Sequence, residues 1–308
     1  MQFKRTKRAV SGVLLLDKAH GISSNTALQQ VKRLFQAEKA GHTGNLDPIA
    51  TGLLPVCFGE ATKFSHYLLD ANKCYQARFK LGVTTTTGDI EGEIISQKPV
   101  EVTLDEVQQV LKRFVGPIQQ IPPMYSALKH QGKALYTYAR AGVDIYREPR
   151  EVTIYKLTLD SFSGDELSVT VHCSKGTYIR VLGEDIGAAL GCGAHMNALR
   201  RTETGSFKLS SAISLLQLEQ MTPEQRDATL LPADCLVAGL QKVNLDSESA
   251  YYLQQGQSVW QAGLSEKGPV SLYGPEAVFL GLGEVTNEGK IAPKRLVLPA
   301  KNLTPSNP

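Results

Sequence analysis

The stretch "EVTIYKLTLDSFSGDELSVTVHC" (residues 151–173) decides the fold class. Apolar and polar residues alternate over 151–162 and again over 166–173, which is the pattern of two half-buried strands. The three residues between them, Ser-Gly-Asp, have the composition of a tight turn. The stretch therefore predicts an antiparallel β-hairpin.

Further predicted elements surround this hairpin. Residues 11–18 and 74–82 have strand patterns, and "TNEG" between 277–285 and 290–298 indicates a second hairpin. Apolar residues at helical spacing predict four helices, at 23–36, 61–70, 103–116 and 177–191. The third has Thr103 and Glu106 as a capping box at its start. The predicted fold class is α+β, with a mixed, largely antiparallel central sheet and flanking helices.

The length of 308 residues and the 42% hydrophobic content predict two domains, because single cores seldom grow past ~250–300 residues. Periodicity is weak over residues 220–243, which places the boundary there. The predicted domains are 1–240 and a small β-rich domain at 241–308. The second carries six Lys/Arg and six Asp/Glu and is therefore neutral.

Several classes of protein are disfavoured by composition. No apolar run reaches the ~18 residues of a membrane span, and the basic N-terminus lacks the apolar segment of a signal peptide. The five cysteines are odd in number and contain no C-x-x-C pair. Neither a disulfide framework nor a structural zinc site is expected, and a cytoplasmic location fits.

The basic residues are unevenly distributed, although the net charge is only +3. Residues 1–8 contain four Lys/Arg and no acid, and residues 129–150 contain five Lys/Arg against two acids. Such segments either contact a polyanion or are solvated surfaces, and charge alone leaves both open. Residues 118–142, rich in proline, tyrosine and basic residues, are predicted to be an inserted loop with a short helix.

The stretch "GHTGNLDPIATG" (41–52) places a single carboxylate, Asp47, in a loop with three glycines. Glycines let the backbone adopt positive φ and let a ligand approach closely. Asp47-Pro48 either starts a turn or presents an active-site acid, and the loop alone leaves both open. No G-x-x-x-x-G-K-[ST] motif is present, so an NTPase is not indicated.

Directly after the hairpin, "CSKGTYIRVLGEDIG" (173–187) clusters basic and aromatic residues where a strand turns into a helix. Arg180 lies near the start of that helix, where the helix dipole disfavours a cation. A specific acidic partner for Arg180 is therefore expected. Tyr75 begins an alternating strand and is either a core residue or part of a site.

Five blocks of sequence carry a resemblance to a known family. Their central parts are, in order, "GVLLLDKAHGISS", "GHTGNLDPIATG", "KCYQARFKLGVTTTTGDIEG", "IPPMYSALKHQGKALYTYARAG" and "SKGTYIRVLGEDIG" with "ALRRTETGSF". The chain resembles the TruB-type tRNA pseudouridine synthases over residues 10–210, and more weakly over 277–298. One departure is Ala19-His20, where the family has proline after Lys18.

The resemblance implies an isomerase that converts one uridine of the TΨC arm, at position 55 of tRNA, to pseudouridine. It implies the pseudouridine synthase fold with a C-terminal PUA-like RNA-binding domain, and an insertion at 118–150 that contacts RNA. No oxidation state changes in this reaction, so neither a redox cofactor nor a metal is required. The expected partner is tRNA, with no membrane and no protein partner, and the protein is expected to be a monomer.

The resemblance also implies roles for single residues. Asp47 is the catalytic carboxylate, acting as nucleophile or as base on the ribose, and Arg180 is its partner. Tyr75 stacks on the target base and can move a proton. The remaining RNA-binding positions are His42, Tyr178, Leu199, Lys129 and Lys18. An Asp–Arg pair suits this chemistry, because burial raises an aspartate pKa and a neighbouring arginine lowers it.

Two other functions compete with the isomerase. One is a protein that binds and refolds tRNA without catalysis. The other is a glycoside hydrolase, which needs two facing carboxylates. The loop supplies one carboxylate, and Asp89 in "TTTTGD" is interpreted first as a turn residue and second as a helper of the site.

Overall fold

The structure is a computed structural model that describes residues 7–264 and 267–298. Lys4 and Arg5 of the predicted basic N-terminal segment lie outside the described residues. So do residues 299–308, the end of the predicted second domain.

The described residues form strands and helices in a mixed order along the chain. The strands are β1 (Gly12–Lys18), β2 (Ala40–His42), β3 (Thr51–Phe58), β4 (Lys73–Leu81), β5 (Val83–Thr85), β6 (Ile94–Gln97), β7 (Gly116–Gln120), β8 (Lys129–His130), β9 (Lys133–Ala134), β10 (Arg150–Ser163), β11 (Glu166–Cys173), β12 (Ala194–Thr204), β13 (Phe207–Lys208), β14 (Ile213–Ser214), β15 (Gln241–Asn244), β16 (Val259–Trp260), β17 (Gly268–Tyr273), β18 (Phe279–Val285) and β19 (Lys290–Leu296). The α-helices are α1 (Ser24–Leu34), α2 (His66–Leu69), α3 (Leu104–Arg113), α4 (Leu135–Arg140), α5 (Ile179–Ala189), α6 (Leu215–Gln220), α7 (Pro223–Asp227) and α8 (Ser247–Gln254).

The central sheet has the strand order β14-β1-β3-β12-β4-β11-β10-β7, with β2 paired to β3 and β13 to β12. The predicted hairpin is confirmed, because β10 and β11 pair antiparallel around a turn that joins Ser163 to Glu166. Two pairings are parallel, β1 with β14 and β12 with β3. The sheet is therefore mixed and largely antiparallel, which confirms the predicted fold class.

Helices α1, α3 and α5 cover one face of this sheet and bury their apolar stripes in the core, as Val31, Val107 and Leu182 show. Helix α3 begins at the predicted capping box, with both reciprocal hydrogen bonds present. Helix α5 lies close against β4: a Cβ on Gly183 would lie 2.3 Å from the ring of Phe79. This close packing fixes the start of α5, which carries Arg180, relative to β4, which carries Tyr75.

Three parts of the chain differ from the sequence-based expectation. Residues 61–70, predicted as one helix, form a 3₁₀ turn at Gly59–Lys63 followed by the single turn of α2. Residues 118–120, predicted as loop, belong to β7, which pairs with β10 at the sheet edge. Strand β12 was not predicted, although it lies in the middle of the sheet.

The C-terminal part forms a second, five-stranded sheet in the order β15-β17-β18-β19-β16, with an apolar core of its own. The predicted hairpin β18–β19 is confirmed. This sheet contacts the first part of the chain, with the rings of Phe64 and Phe279 5.4 Å apart, and with Lys63 Nζ donating to the Leu296 carbonyl at 2.9 Å. The domain boundary at 240/241 stays a prediction.

Within residues 7–264 and 267–298, no helix has the length and apolar character that crossing a membrane requires.

Candidate active site

The loop that carries Asp47 connects β2 to β3. The Ala50 amide donates to the Asp47 carbonyl at 3.0 Å, so Asp47-Pro48 does start a turn. Gly44 and Gly52 have φ of +114° and +101°, which side chains rarely tolerate. At Gly52 a Cβ would also lie 2.3 Å from the Arg201 carbonyl oxygen. The glycines thus serve to bring this loop tightly onto the sheet.

The Asp47 side chain reaches the guanidinium of Arg180 across the site. Arg180 Nε lies 3.0 Å from Asp47 Oδ2. Arg180 is buried in the first turn of α5, and the Asp47 side chain is 39% exposed. The expected acidic partner of Arg180 is therefore present in the structure.

Arg180 is held by three further groups. Its Nη1 donates to the Thr87 carbonyl at 3.0 Å, and its Nη2 donates to the Tyr125 carbonyl at 2.7 Å. Nη1 also lies 3.6 Å from Asp89 Oδ2. The guanidinium is thus fixed by the turn before β6 and by the insertion after β7, and it presents Nε to Asp47.

The pKa of Asp47 is raised above its ordinary value. Burial is the largest cause, and the negative charge of Asp89 adds to it. Arg180 and, more weakly, Lys18 oppose the rise. The arginine therefore limits the effect of burial on the carboxyl pKa without cancelling it.

Lys18, at the end of β1, is only 1% exposed. Its ammonium donates to the carbonyls of Ala19, Ile22 and Pro48 at 2.9, 2.6 and 3.4 Å. Burial lowers the pKa of this lysine to about 8. The ammonium thus faces the carbonyl of Pro48, next to Asp47, rather than solvent, and the contact of Lys18 with RNA stays a prediction.

Tyr75 is buried on β4, opposite Arg201 of β12. Burial raises the pKa of the Tyr75 hydroxyl, and the Arg201 guanidinium beside it opposes that rise. The charge of Asp47 also acts on this hydroxyl. Tyr75 and Asp47 therefore lie close enough for the charge of one to act on the other.

Two further predicted residues lie on strands around the loop. His42 is half-buried on β2, and its pKa is lowered by burial and by the nearby Arg201 cation. Leu199 is buried on β12, and its carbonyl accepts a hydrogen bond of 3.5 Å from Thr51, just after the loop. Both residues therefore border the Asp47 loop.

Tyr178 immediately precedes α5, and its backbone is held by Gln120, a residue that the sequence did not single out. The Tyr178 amide donates to Gln120 Oε1 at 3.0 Å, and Gln120 Nε2 donates to the Tyr178 carbonyl at 3.2 Å. Gln120 is buried at the end of β7. Its burial depends on the pairing of β7 with β10, and a glutamine in a polar stretch gives no local signal of that pairing.

Lys129 lies apart from these residues, exposed on the small hairpin of β8 and β9 within the insertion. The insertion reaches the site through the Tyr125 carbonyl rather than through Lys129. Lys129, the basic residue at this position of the insertion, is therefore exposed to solvent.

Asp89 is the second acid near Asp47, and the sequence spacing does not predict its closeness. Its Oδ1 accepts hydrogen bonds from the Thr87 hydroxyl at 2.5 Å and from the Glu91 amide at 3.1 Å. A glycoside hydrolase needs a second carboxyl that can reach the leaving group. Asp89 is buried and bonded to its own turn, so this pair of acids does not favour hydrolysis.

The fold and the site together define the class of protein. The solved structure of the archaeal box H/ACA sRNP Nop10-Cbf5 complex aligns with TM-score 0.70 and 26% identity, over 94% of this chain and 87% of that one. A Cbf5-Nop10-Gar1 complex aligns with TM-score 0.68 and 30% identity, over 89% and 78%. A mixed sheet of this kind, with one aspartate in a glycine-rich loop paired to a buried arginine, has the architecture of a pseudouridine synthase.

The family follows from the sequence comparisons. Residues 32–179 match the model of the TruB family pseudouridylate synthase N-terminal domain. Residues 180–238 match that of the tRNA pseudouridylate synthase B C-terminal domain, and residues 242–297 that of the pseudouridine synthase II TruB C-terminus. The chain belongs to the TruB family, and it is an isomerase.

Two curated relatives span nearly the whole chain. The tRNA pseudouridine synthase B of Methylobacillus flagellatus is 60% identical, covering 96% of this chain and 98% of the relative. That of Nitrosospira multiformis is 54% identical, covering 95% and 97%.

Proposed function

We propose that this protein converts the uridine at position 55, in the TΨC loop of tRNA, to pseudouridine. The observation that carries the proposal is the ion pair of 3.0 Å between the cleft carboxylate Asp47 and the buried guanidinium of Arg180. The activity named for the two curated relatives supports tRNA as the substrate.

In the proposed reaction the N1–C1′ bond of uridine breaks, the uracil turns, and C5 bonds to C1′. C5 loses a proton and N1 gains one, so the composition of the nucleotide is unchanged. Asp47 acts on the ribose and must be ionised to do so. Arg180 orients the carboxylate and favours its charged form, and Tyr75 stacks on the base.

A uridine inside a folded loop has to leave its stack before this chemistry can occur. His42 supports the flipped conformation: its lowered pKa keeps the ring neutral at pH 7, and a neutral ring stacks readily on bases. Tyr178 and Leu199 line the uridine pocket. Lys18 positions the loop through the Pro48 carbonyl.

Two outer parts of the chain extend the contact with tRNA. Lys129 and the other basic residues of the insertion at 118–150 contact phosphates. The C-terminal β domain has equal numbers of basic and acidic residues over 241–308, so electrostatic attraction to RNA is weak. The domain therefore binds RNA by shape. The protein acts as a monomer in the cytoplasm, where its five free cysteines stay reduced.

Unmodified tRNA transcript incubated with the protein, followed by carbodiimide treatment and primer extension, tests the proposal. Wild type is expected to mark one TΨC-loop uridine. Asp47→Asn is expected to bind the transcript in a gel shift and to mark none. Asp165→Asn is the matched control. Asp165 lies in the turn between β10 and β11 and forms an ion pair with Lys80 of β4. Binding without modification by wild type would favour a tRNA-folding protein instead.

A further inference from the structure

We propose that Arg201 is a positioning residue that holds the Asp47 loop and Tyr75 in one fixed frame. The inference rests on the proposed function, because it assumes that Asp47 acts on the ribose and Tyr75 on the base. Arg201 itself acts through these groups and through the backbone of the loop, without a role on the reacting atoms.

The backbone of Arg201 lies between the two elements. Strand β12 pairs with β3 on one side and with β4 on the other, and Arg201 is opposite Gly52 in the first pairing and opposite Tyr75 in the second. The contact with Gly52 is so close that a Cβ there would lie 2.8 Å from the Arg201 amide nitrogen. One residue thus joins the end of the Asp47 loop to the strand that carries Tyr75.

The side chain of Arg201 brackets Asp47. Its Nε donates to the Leu53 carbonyl at 2.7 Å, and its Nη1 donates to the Asn45 carbonyl at 3.4 Å. Asn45 precedes Asp47 by two residues, and Leu53 follows it by six. The two hydrogen bonds therefore hold the loop on both sides of the carboxylate.

The third nitrogen of the guanidinium, Nη2, bonds to neither loop carbonyl. Within the described part of the chain, Arg201 Nη2 is buried and has no hydrogen bond of good geometry, and the Tyr75 hydroxyl lies beside the guanidinium. A hydrogen bond from this guanidinium to the phenol oxygen would orient the Tyr75 ring. The same cation lies close enough to His42 to lower the pKa of its imidazole.

A buried cation is costly unless an anion accompanies it. Arg201 is 1% exposed, and no carboxylate in residues 7–264 and 267–298 lies within ion-pair distance of it. An apolar side chain of similar volume would fill the same space at lower electrostatic cost. The neighbouring Arg200 shows the ordinary arrangement: its side chain is 40% exposed and pairs with Asp17 at 2.7 Å.

A packing role and a positioning role predict different kinetics. If Arg201 only stabilises the fold, its replacement lowers the fraction of active protein and leaves the rate constant of each active molecule unchanged. If it positions the loop, the rate constant falls, because misplacement of ~1 Å costs about 100-fold. The loop then also moves away from Arg180. Because the opposite charge is farther from Asp47, the pKa of Asp47 rises, and the acid limb of the pH–rate profile moves to higher pH.

The test compares Arg201→Met, Arg201→Lys and the control Arg200→Met in single-turnover reactions with excess protein and labelled unmodified tRNA. Rate constant and amplitude are recorded from pH 5 to pH 8, with the Kd for the transcript. We expect Arg201→Met to react about 100-fold more slowly and Arg201→Lys about tenfold, because an ammonium does not reproduce the planar fork. In both, the Kd should change less than about threefold and the acid limb should move to higher pH. Arg200→Met should keep the wild-type rate constant and acid limb.

The outcomes separate the two proposals. A reduced amplitude with the wild-type rate constant and acid limb in Arg201→Met overturns the positioning role and leaves a structural one. Should Arg201→Met fail to fold, Arg201→Lys decides, and a wild-type rate constant in that variant overturns the role. Wild-type protein that forms no pseudouridine overturns the proposed function and this inference together, whereas an active wild type with unaffected variants overturns this inference alone.

Discussion

Asp47 and Asp89 contact the same guanidinium, and almost everything else about them differs. The Asp89 side chain is 6% exposed, and its Oδ1 accepts two hydrogen bonds from its own turn. The Asp47 side chain is 39% exposed, and among the described residues Arg180 is its one hydrogen-bond or ion-pair partner. One carboxylate has its oxygens occupied by protein, and the other has oxygen lone pairs left for a ligand.

This difference separates an anchor from a reactive group. A carboxylate that already accepts several hydrogen bonds keeps its neighbours in place and has little capacity for new ones. Asp89 fixes the turn at residues 87–91 and, through it, the carbonyl that orients Arg180. Asp47 pairs with the guanidinium that is oriented in this way, and its own side chain stays partly exposed.

The largest effect should separate the two acids in catalysis. We expect Asp47→Asn to lower the single-turnover rate of pseudouridine formation by at least about 10⁴-fold, because the reacting group is lost. Asp89→Asn should lower it by about 10- to 100-fold, because Arg180 loses part of its support. Rates measured with saturating protein check both values, and a larger loss in Asp89→Asn would reverse the assignment.

Stability should show the opposite order. Asp89→Asn keeps an oxygen that can accept the two hydrogen bonds of the turn, but it removes the negative charge beside a buried cation and turns an amide NH₂ toward it. We therefore expect a loss of about 3 kcal/mol in the free energy of unfolding. Denaturant titration followed by circular dichroism measures it. Asp165→Asn, at an exposed and screened pair, should leave the free energy of unfolding close to that of wild type. An unaltered free energy in Asp89→Asn would mean that Asp89 is no anchor.

The pH dependence should distinguish the charges around Asp47 by sign. The raised pKa of Asp47 predicts that wild type loses activity on acidification at a higher pH than an ordinary aspartate would. Asp89→Asn removes a like charge and should move this acid limb to lower pH. Lys18→Met removes an opposite charge and should move it to higher pH. Shifts of both variants in one direction would contradict the assignment of Asp89 and Lys18 as opposing charges on Asp47.

Much of this arrangement could be predicted from local sequence. The hairpin at 151–173, the capping box at Thr103 and the pairing of Arg180 with an acid all follow from patterns within short segments. The glycine-rich loop predicts either a turn or an active-site acid. The structure contains the turn, and the role of Asp47 as an acid stays a prediction.

The remaining features depend on contacts between distant segments. Strand β12 was missed because its sequence, "AHMNALRRTET", places a buried arginine where an alternating strand would show an apolar residue. The Arg201 guanidinium donates there to the carbonyls of Leu53 and Asn45, which are 148 and 156 positions away. The burial of Lys18 could not be predicted for the same reason, since the carbonyl of Pro48 that it contacts is 30 positions away.

The smallest expected effect is on the stability of Asp47→Asn. Because the pKa of Asp47 is raised in the folded protein, its ionised form is disfavoured by folding, and the native state binds more protons than the unfolded state between pH 3.8 and that raised pKa. This contribution therefore favours the folded protein at low pH and is lost as the pH rises through the folded pKa.

At pH 7 a neutral asparagine in place of Asp47 removes this penalty, and Arg180 keeps Asp89 and two carbonyls as partners. Since the side chain is partly exposed and screened, we expect the melting temperature to stay equal or rise by up to about 2 °C. Calorimetry of both proteins at pH 7 and pH 5 checks this. The difference should shrink as the pH falls through the folded pKa of Asp47. A variant clearly less stable than wild type at pH 7 would show that Asp47, like Asp89, is an anchor.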